Sequence, residues 1–511
     1  MITATNNKRI AKNTLLLYFR MLIQMLVSLY TSRVVLNTLG VEDFGIYNVV
    51  GGVVAVLSVF SASLSAAISR FITYELGKEN IGKLKLIFST AVNIQFFMAL
   101  GICLVAEIVG VWFLNSEMNI PLDRMNAANW VLQCSIFTFM VSLISVPYNS
   151  SIIAHEHMKA FAYIGIIEIL FKLLAVLSLR YWKGDILIVY ALLLLGITII
   201  IRLINGWYCK RKFEECRYQF IFDRGLFRQM FSFAGWNFVG ASSGVMRDQG
   251  INVLLNLFCG PLVNTARGIA MQVCVAIQGF VGSFMTALNP QITKSYATEN
   301  RDYLMKLVFQ GARFSFYLLL LLSLPILFET EIVLKLWLKI VPDYTIAFVR
   351  LIVVYIMSES LSYTLITLML ATGNIRNYQL IVGGCQMLNF PLSYLFLKLG
   401  YAPEYTIVIS IFIAMLCFVL RLYMLRGMVG LPVGHFIRKV FLNVLFVSLI
   451  SCIVPLLISN ILLPGVSRLL LTCIFSTICT IIVIFYVGCS LQERLLLKVQ
   501  IGNFLTKFNY R

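Results

Sequence analysis

Several stretches of this chain run for more than 20 residues without a charged side chain, among them 46–69, 86–106, 125–154, 440–467 and 469–492. About 20 mostly apolar residues suffice for a helix to cross the ~30 Å hydrocarbon core of a bilayer. A chain carrying five such runs cannot hide them in a water-soluble core. Composition agrees: of 511 residues 60% are hydrophobic and 12% charged, where a soluble domain is roughly 25% charged. Runs interrupted by one or two charges bring the expected total to about 14 spans. They lie near 13–37, 43–69, 86–114, 128–153, 160–180, 186–208, 230–257, 264–290, 307–328, 344–371, 378–399, 404–425, 438–459 and 468–489. The expected fold class is an all-α integral membrane protein.

The charge balance fixes an orientation. Lys plus Arg exceed Asp plus Glu by 19. A nucleic-acid partner would need a solvated basic face, and this chain has little solvated surface to offer. Cytoplasmic loops of membrane proteins retain Lys and Arg. With the N-terminus inside, inner segments collect 26 basic residues and outer segments 8. Both termini are therefore expected in the cytoplasm, and the chain in the inner (cytoplasmic) membrane. The polar start with Lys8, Arg9 and Lys12, followed by an apolar stretch that holds Arg20 and Arg33, reads as a retained helix rather than a cleaved signal.

The hydrophilic loops are short, at most about 20 residues, too small for a soluble domain of even ~50 residues. No Gly-x-x-x-x-Gly-Lys-Ser/Thr loop is present, and no acidic or large external loop that a membrane glycosyl or phosphoglycosyl transferase would use. Three histidines (His155, His157, His435) lack metal-ligand spacing, and the 12 cysteines form no Cys-x-x-Cys. No enzyme activity, metal or organic cofactor is expected; H⁺ or Na⁺ coupling stays open.

A repeat at an offset of 220 residues is visible. Residues 40–47 (Gly-Val-Glu-Asp-Phe-Gly-Ile-Tyr) and 260–267 (Gly-Pro-Leu-Val-Asn-Thr-Ala-Arg) each open a span after an external turn. At the same offset Ser63 meets Ser283, Ala67 meets Ala287, and Glu79-Asn80 meets Glu299-Asn300. Six spans separate the copies, so the halves would share one orientation, as in secondary transporters built from parallel repeats. The expected organisation is a six-helix bundle over 1–212, a second over 213–428, and two further spans with a cytoplasmic tail over 429–511.

The stretch Arg33-Val-Val-Leu-Asn-Thr-Leu-Gly-Val-Glu-Asp-Phe-Gly-Ile-Tyr-Asn-Val-Val50, the Ser/Ala-rich span after it and Arg70-Phe-Ile-Thr-Tyr-Glu-Leu-Gly77 resemble bacterial polysaccharide-export flippases of the Wzx type. Those proteins share a superfamily with the MATE drug exporters and the lipid II flippase MurJ. The resemblance implies two pseudo-symmetric bundles in a V around a central cavity. It also implies an undecaprenyl-diphosphate-linked oligosaccharide as cargo, moved by alternating access for surface polysaccharide or lipopolysaccharide. Membrane lipids and the polymerase and glycosyltransferases of the same pathway would be its partners. A MATE-like cation-coupled drug exporter is the alternative.

Charges inside spans cost at least ~2.5–3.5 kcal/mol each on insertion scales and mark functional candidates. Here they are Arg20, Arg33, Glu107, Glu168, Lys172, Arg202, Arg247, Asp248, Arg313, Arg350 and Glu359. Seven basic against four acidic groups make the interior net cationic, which suits a diphosphate and disfavours a cationic drug. Arg202, Arg313 and Arg350 lie near span ends, where they can snorkel. In span 7, Asn237, Gly240, Ala241, Gly244, Asp248 and Asn252 share one helical face with Arg247 at its edge. Span 8 carries Arg267, Met271, Cys274 and Gln278 in a stripe, and span 10 carries Tyr355, Glu359, Tyr363 and Thr367. The expected substrate site is Arg20, Arg33, Arg247, Asp248, Arg267, Gln278 and Glu359. Asp248 and Glu168 are the candidates for the coupling ion. Glu168 and Lys172, one turn apart, can also neutralise each other.

Overall fold

The computed structural model describes residues 2–55, 58–116, 120–221, 223–338 and 341–495. Some side chains within the helices, including those of Arg33 and residues 51–60, lie outside the described ones. Among the described residues every regular element is helical. In hydrocarbon each backbone N–H and C=O must find its partner within the segment, and a helix does this unaided.

The first helices are α1 (Ile2–Ala55), α2 (Ser58–Gly77), α3 (Ile81–Val105), α4 (Val111–Ser116), α5 (Met125–Ala154), α6 (Met158–Ser178) and α7 (Ile186–Lys212). Then come α8 (Arg224–Cys259), α9 (Pro261–Ala297), α10 (Arg301–Phe328), α11 (Thr330–Leu338), α12 (Thr345–Ser360) and α13 (Tyr363–Thr372). The last are α14 (Arg376–Met387), α15 (Asn389–Lys398), α16 (Tyr405–Val429), α17 (Val433–Phe436), α18 (Leu442–Ile461) and α19 (Val466–Val483).

Among the described residues eleven helices are long and apolar enough to cross a membrane, or twelve if α12 and α13, bent by 40°, count as one span. The count of 14 expected from sequence is not reached among the described residues, for two reasons. α8 is long enough at 36 residues but too polar: even its uncharged stretch between Arg228 and Arg247 is rich in Gly, Ser and Asn. The expected span 43–69 includes residues 56 and 57, which are not described.

The chain divides into two compact units. The N-terminal unit is Ala11–Ala241 with Thr293–Glu299; the C-terminal unit is Met1–Ile10, Ser242–Ile292 and Asn300–Arg511. In the N-terminal unit α5 packs against α7, α2 and α3. Its Ala128, Val131 and Leu132 form a core with Val50, Leu187 and Ala191. Arg124, just before α5, bonds Asp43 at 2.8 Å and Asp185 at 2.9 Å. Asp43 belongs to the Leu-Gly-x-x-x-Phe-Gly-x-Tyr element, so part of that element ties helix ends together. Beyond α7, Phe213 stacks on His155 at 4.0 Å, and the His155 ring hydrogen-bonds the Glu215 carboxylate. Tyr218 then donates to Asn93 at 2.7 Å.

In the C-terminal unit α16 packs against α12, α14 and α15, and α10 against α12, α18 and α19. A Cβ on Gly311 would lie 2.4 Å from Leu288 Cδ2 and 2.7 Å from Thr364 Cγ2, so α10 meets its neighbours there without a side chain between them. Two ion pairs fasten the last segments: Arg468 with Glu329 at 2.9 Å and Arg313 with Glu493 at 2.6 Å.

The backbone repeats at the offset read from the sequence. Gly40 and Gly260 have φ of +83° and +81°. Backbone with positive φ is open to glycine at little cost. Thirty-nine residues after each glycine, Glu79 and Glu299 adopt φ of 56° and 57°, an uncommon left-handed state for a side-chain-bearing residue. Asn80 and Asn300 then cap the next helix, accepting from Lys83 N at 3.1 Å and Tyr303 N at 3.3 Å. These matched positions with matched conformations place the same turn–helix–turn unit in both halves of the sequence.

Candidate functional site: an arginine cluster in the C-terminal unit

The turn at Gly260 folds α9 back beside α8 and so brings Arg267 to Asn252 and Asp248. Arg267 Nη1 donates to the Asn252 side-chain oxygen and, at 3.3 Å, to the Asp248 backbone carbonyl. The residue is only 5% exposed. Among the described residues no carboxylate oxygen lies within ion-pair distance of it, and both partners are neutral oxygens.

Arg247, one residue before Asp248, is held differently. Its Nε lies 3.0 Å and its Nη2 3.3 Å from the two Asp248 carboxylate oxygens. Its Nη1 lies 3.6 Å from Glu359 Oε1 on α12. Tyr355, one turn before Glu359, puts its ring centroid 5.5 Å from the guanidinium carbon, within range of a cation–π contact. The Tyr355 hydroxyl is buried near Glu359 without a hydrogen bond of ordinary geometry. On α13 the Tyr363 hydroxyl faces the Gln278 amide of α9. Thr367, the last residue of that stripe, donates to Asn289 at 2.8 Å.

Four of the five expected substrate residues from this unit are therefore linked by contacts: Asp248 and Glu359 touch Arg247, and Arg267 reaches the Asp248 backbone. Gln278 lies on the same helix as Arg267, three turns on. The Asp248 and Glu359 side chains are 37% and 22% exposed, against 13% for Arg247. The carboxylates thus stand toward open space and the guanidiniums behind them.

The remaining candidates sit elsewhere. Arg20 belongs to the N-terminal unit, its guanidinium 4.4 Å from the Phe161 ring centroid. Gly165 makes room for it, since a Cβ there would lie 2.1 Å from Arg20 Nε. That Nε is buried with no hydrogen-bond partner. Glu168, two turns along α6 from Phe161, is near enough to act on Arg20 but is bonded by Lys172 at 2.6 Å. Arg33 is helical, and its side chain lies outside the described ones. Glu107 accepts from Gln133 at 2.6 Å. Arg202 stacks on Tyr148 at 3.8 Å, Arg313 pairs with Glu493, and Arg350 donates to Thr330 at 3.2 Å. Asn237, on the expected face of α8, donates to the Ser63 carbonyl at 3.4 Å within the N-terminal unit.

One member escapes the sequence reading. Arg421 is 3% exposed, faces the Tyr378 hydroxyl and lies within electrostatic reach of Glu359. The sequence reading counts it with the basic loop over 421–439, although the expected span runs to 425. The helix runs on to Val429, which puts Arg421 two turns inside. With it the cluster holds three arginines and two carboxylates.

The match to a protein-family profile decides the identity. The profile described as polysaccharide biosynthesis protein matches residues 10–296, more than half of the chain. The chain belongs to this family. No curated protein matches it in sequence. Solved structures match in fold at low identity. A MATE protein in its bent conformation shares 13% identity over 83% of this chain and 96% of its own, at a TM-score of 0.73. An outward-facing multidrug resistance MATE family transporter of the MOP superfamily shares 12% over 83% of this chain and 97% of its own, at 0.72. A MOP superfamily transporter from Pyrococcus furiosus, whose binding pocket is described as having reverse polarity that suggests a different function, shares 12% over 84% of this chain and 96% of its own, at 0.71. This member of the polysaccharide biosynthesis family thus has the MATE-like transporter fold and is a multi-pass membrane protein.

Proposed function

We propose that the chain is a flippase. It moves an oligosaccharide linked through a diphosphate to undecaprenol across the cytoplasmic membrane by alternating access, with both termini in the cytoplasm. The cluster around Arg247 and Arg267 receives the diphosphate. A fold does not name a cargo, and solved structures of this fold include a multidrug transporter and one of reversed pocket polarity. The polarity of the site is therefore the informative property.

The observation that carries the reading is Arg267. A buried charge not matched at contact distance costs several kcal/mol, yet the Asp248 carboxylate acts on this guanidinium only from a distance and its direct contacts are neutral oxygens. Such a group keeps its fork of donors ready for the paired oxygens of a phosphate. Arg247, already matched by Asp248 and Glu359, changes partners when an anion arrives. That exchange frees Asp248, the most exposed of the three, to carry a proton or Na⁺. A drug exporter for cations would need the opposite balance.

Replacing Arg267 by Gln removes charge and fork together, whereas Lys keeps the charge. Surface polysaccharide in cells lacking the native gene should fall severely with Arg267→Gln and mildly with Arg267→Lys, at equal membrane abundance. Normal export by the Gln variant would overturn the reading. So would resistance to cationic drugs that disappears with the gene while surface glycan persists.

A further inference from the structure

At the end of α16 an open cleft of about 580 Å³ separates it from the start of α14. Asn374, Asn377 and Arg426 line it from the polar side, and Tyr423, Met424 and Met428 from the apolar side. Asn374, Asn377, Tyr423 and Arg426 are exposed. Among the described residues their side chains make no hydrogen bond or ion pair with one another or with a neighbour. The cleft shares no lining residue with the Arg247 cluster, whose outlying member Arg421 stands two residues before Tyr423 on the same helix.

Its depth follows from helix geometry. α16 has 25 residues, hence about 37 Å at 1.5 Å per residue, a little more than the ~30 Å hydrocarbon core. Tyr423–Met428, in its last two turns, therefore lie at headgroup level. The local charge is of one sign. Arg376, Arg426, Arg438 and Lys439 stand at this end, and between residues 360 and 492 the only acid is Glu404, at the opposite end of α16. An arginine, two carboxamides and no carboxylate make a donor set for phosphate oxygens. The methionines and the tyrosine ring beside them give a flexible apolar wall against which glycerol and the first acyl carbons can lie.

We propose that this cleft binds the phosphate headgroup of an anionic phospholipid, with Arg426 as its charged contact. A free phosphate would use the polar side alone; the apolar wall and the depth favour the lipid.

The test uses the full chain in nanodiscs of phosphatidylglycerol and phosphatidylcholine, counting lipids that stay bound by native mass spectrometry. The wild type should retain phosphatidylglycerol in preference. Arg426→Gln should lower that retention about tenfold, as expected for one charge-assisted contact. Asn374→Ala with Asn377→Ala should lower it less, and Arg426→Lys should restore most of it. All these positions are exposed, and unchanged melting temperatures confirm folding. Equal retention by wild type and Arg426→Gln would overturn the proposal. Displacement of the lipid by millimolar inorganic phosphate would overturn it in favour of a free-phosphate site.

Discussion

Position 267 and its repeat partner, position 47, show how one backbone plan serves two halves differently. Each stands seven residues after a positive-φ glycine, Gly260 or Gly40, and 32 residues before a left-handed glutamate. In the C-terminal unit the place holds Arg267, buried against neutral oxygens. In the N-terminal unit it holds Tyr47, whose ring lies 5.0 Å from that of Tyr190 against an apolar core. Near the Gly40 turn Asp43 instead pairs with Arg124 at the helix ends. The turn is common to both halves; the buried positive charge is not. Backbone conformation here records the repeat, and side chains record the task.

The halves should break differently. The largest effect belongs to the Glu329–Arg468 pair of the C-terminal unit, whose carboxylate side chain is 0% exposed. Removing one partner of a buried pair costs about 3–5 kcal/mol, so Glu329→Ala should lower the melting temperature strongly in detergent. Asp43→Ala in the N-terminal unit, where the Asp43–Arg124–Asp185 side chains are 18–29% exposed, should cost about 1 kcal/mol or less. Equal losses would erase the contrast between the two sets of ion pairs. Next comes export: Arg267→Gln should weaken cargo binding ten- to a hundredfold, about 1.5–3 kcal/mol, whereas Tyr47→Phe, which keeps the ring, should change it less than about threefold. The repeat itself predicts a smaller and shared effect. A Cβ at Gly40 or Gly260 would meet nothing within 4 Å, so Gly→Ala costs only backbone strain, about 2 kcal/mol. Similar losses at both sites are expected; a harmless change at one would separate the turns.

The smallest effect is pH-dependent and confined to the N-terminal unit. Burial pushes the Glu215 carboxyl up, but the hydrogen bond with His155, its own backbone and the charges of His155 and Lys85 outweigh this and hold it below the usual carboxylate value. A group depressed on folding adds stability above its unfolded value, about 4.5 or slightly less. That contribution is lost as pH falls through the lower folded value. Glu215→Gln should therefore flatten the acid side of the melting-temperature profile and leave the neutral side nearly unchanged. An unaltered acid limb would mean that the contact does not hold the loop.

Membrane spans are readable in the sequence wherever charge is absent, because the bilayer selects for apolar length and little else. α8 reads as a span because only Arg247 and Asp248 interrupt its run over 230–257, and its Gly, Ser and Asn are what hold it below the apolar threshold. The 220-residue offset is readable because glycine and Glu-Asn punctuate turns. The site is readable in part. Arg247, Asp248 and Glu359 stand out as charges in apolar surroundings, but their mutual contacts depend on how α8 and α12 pack, which periodicity does not contain. Arg421 is missed because, near the end of its span, it counts with the basic loop that follows. The partners of Arg313 and Arg468 lie 180 and 139 residues away, beyond any local pattern.

The central claim is that the buried Arg267 gives the C-terminal unit a receptor for a diphosphate. It is tested most directly by the affinity of the reconstituted chain for undecaprenyl diphosphate. Wild type should bind it more tightly than undecaprenol, and Arg267→Gln should lose ten- to a hundredfold of that affinity while its affinity for undecaprenol stays the same. Equal affinity of wild type and Arg267→Gln for the diphosphate would contradict the claim.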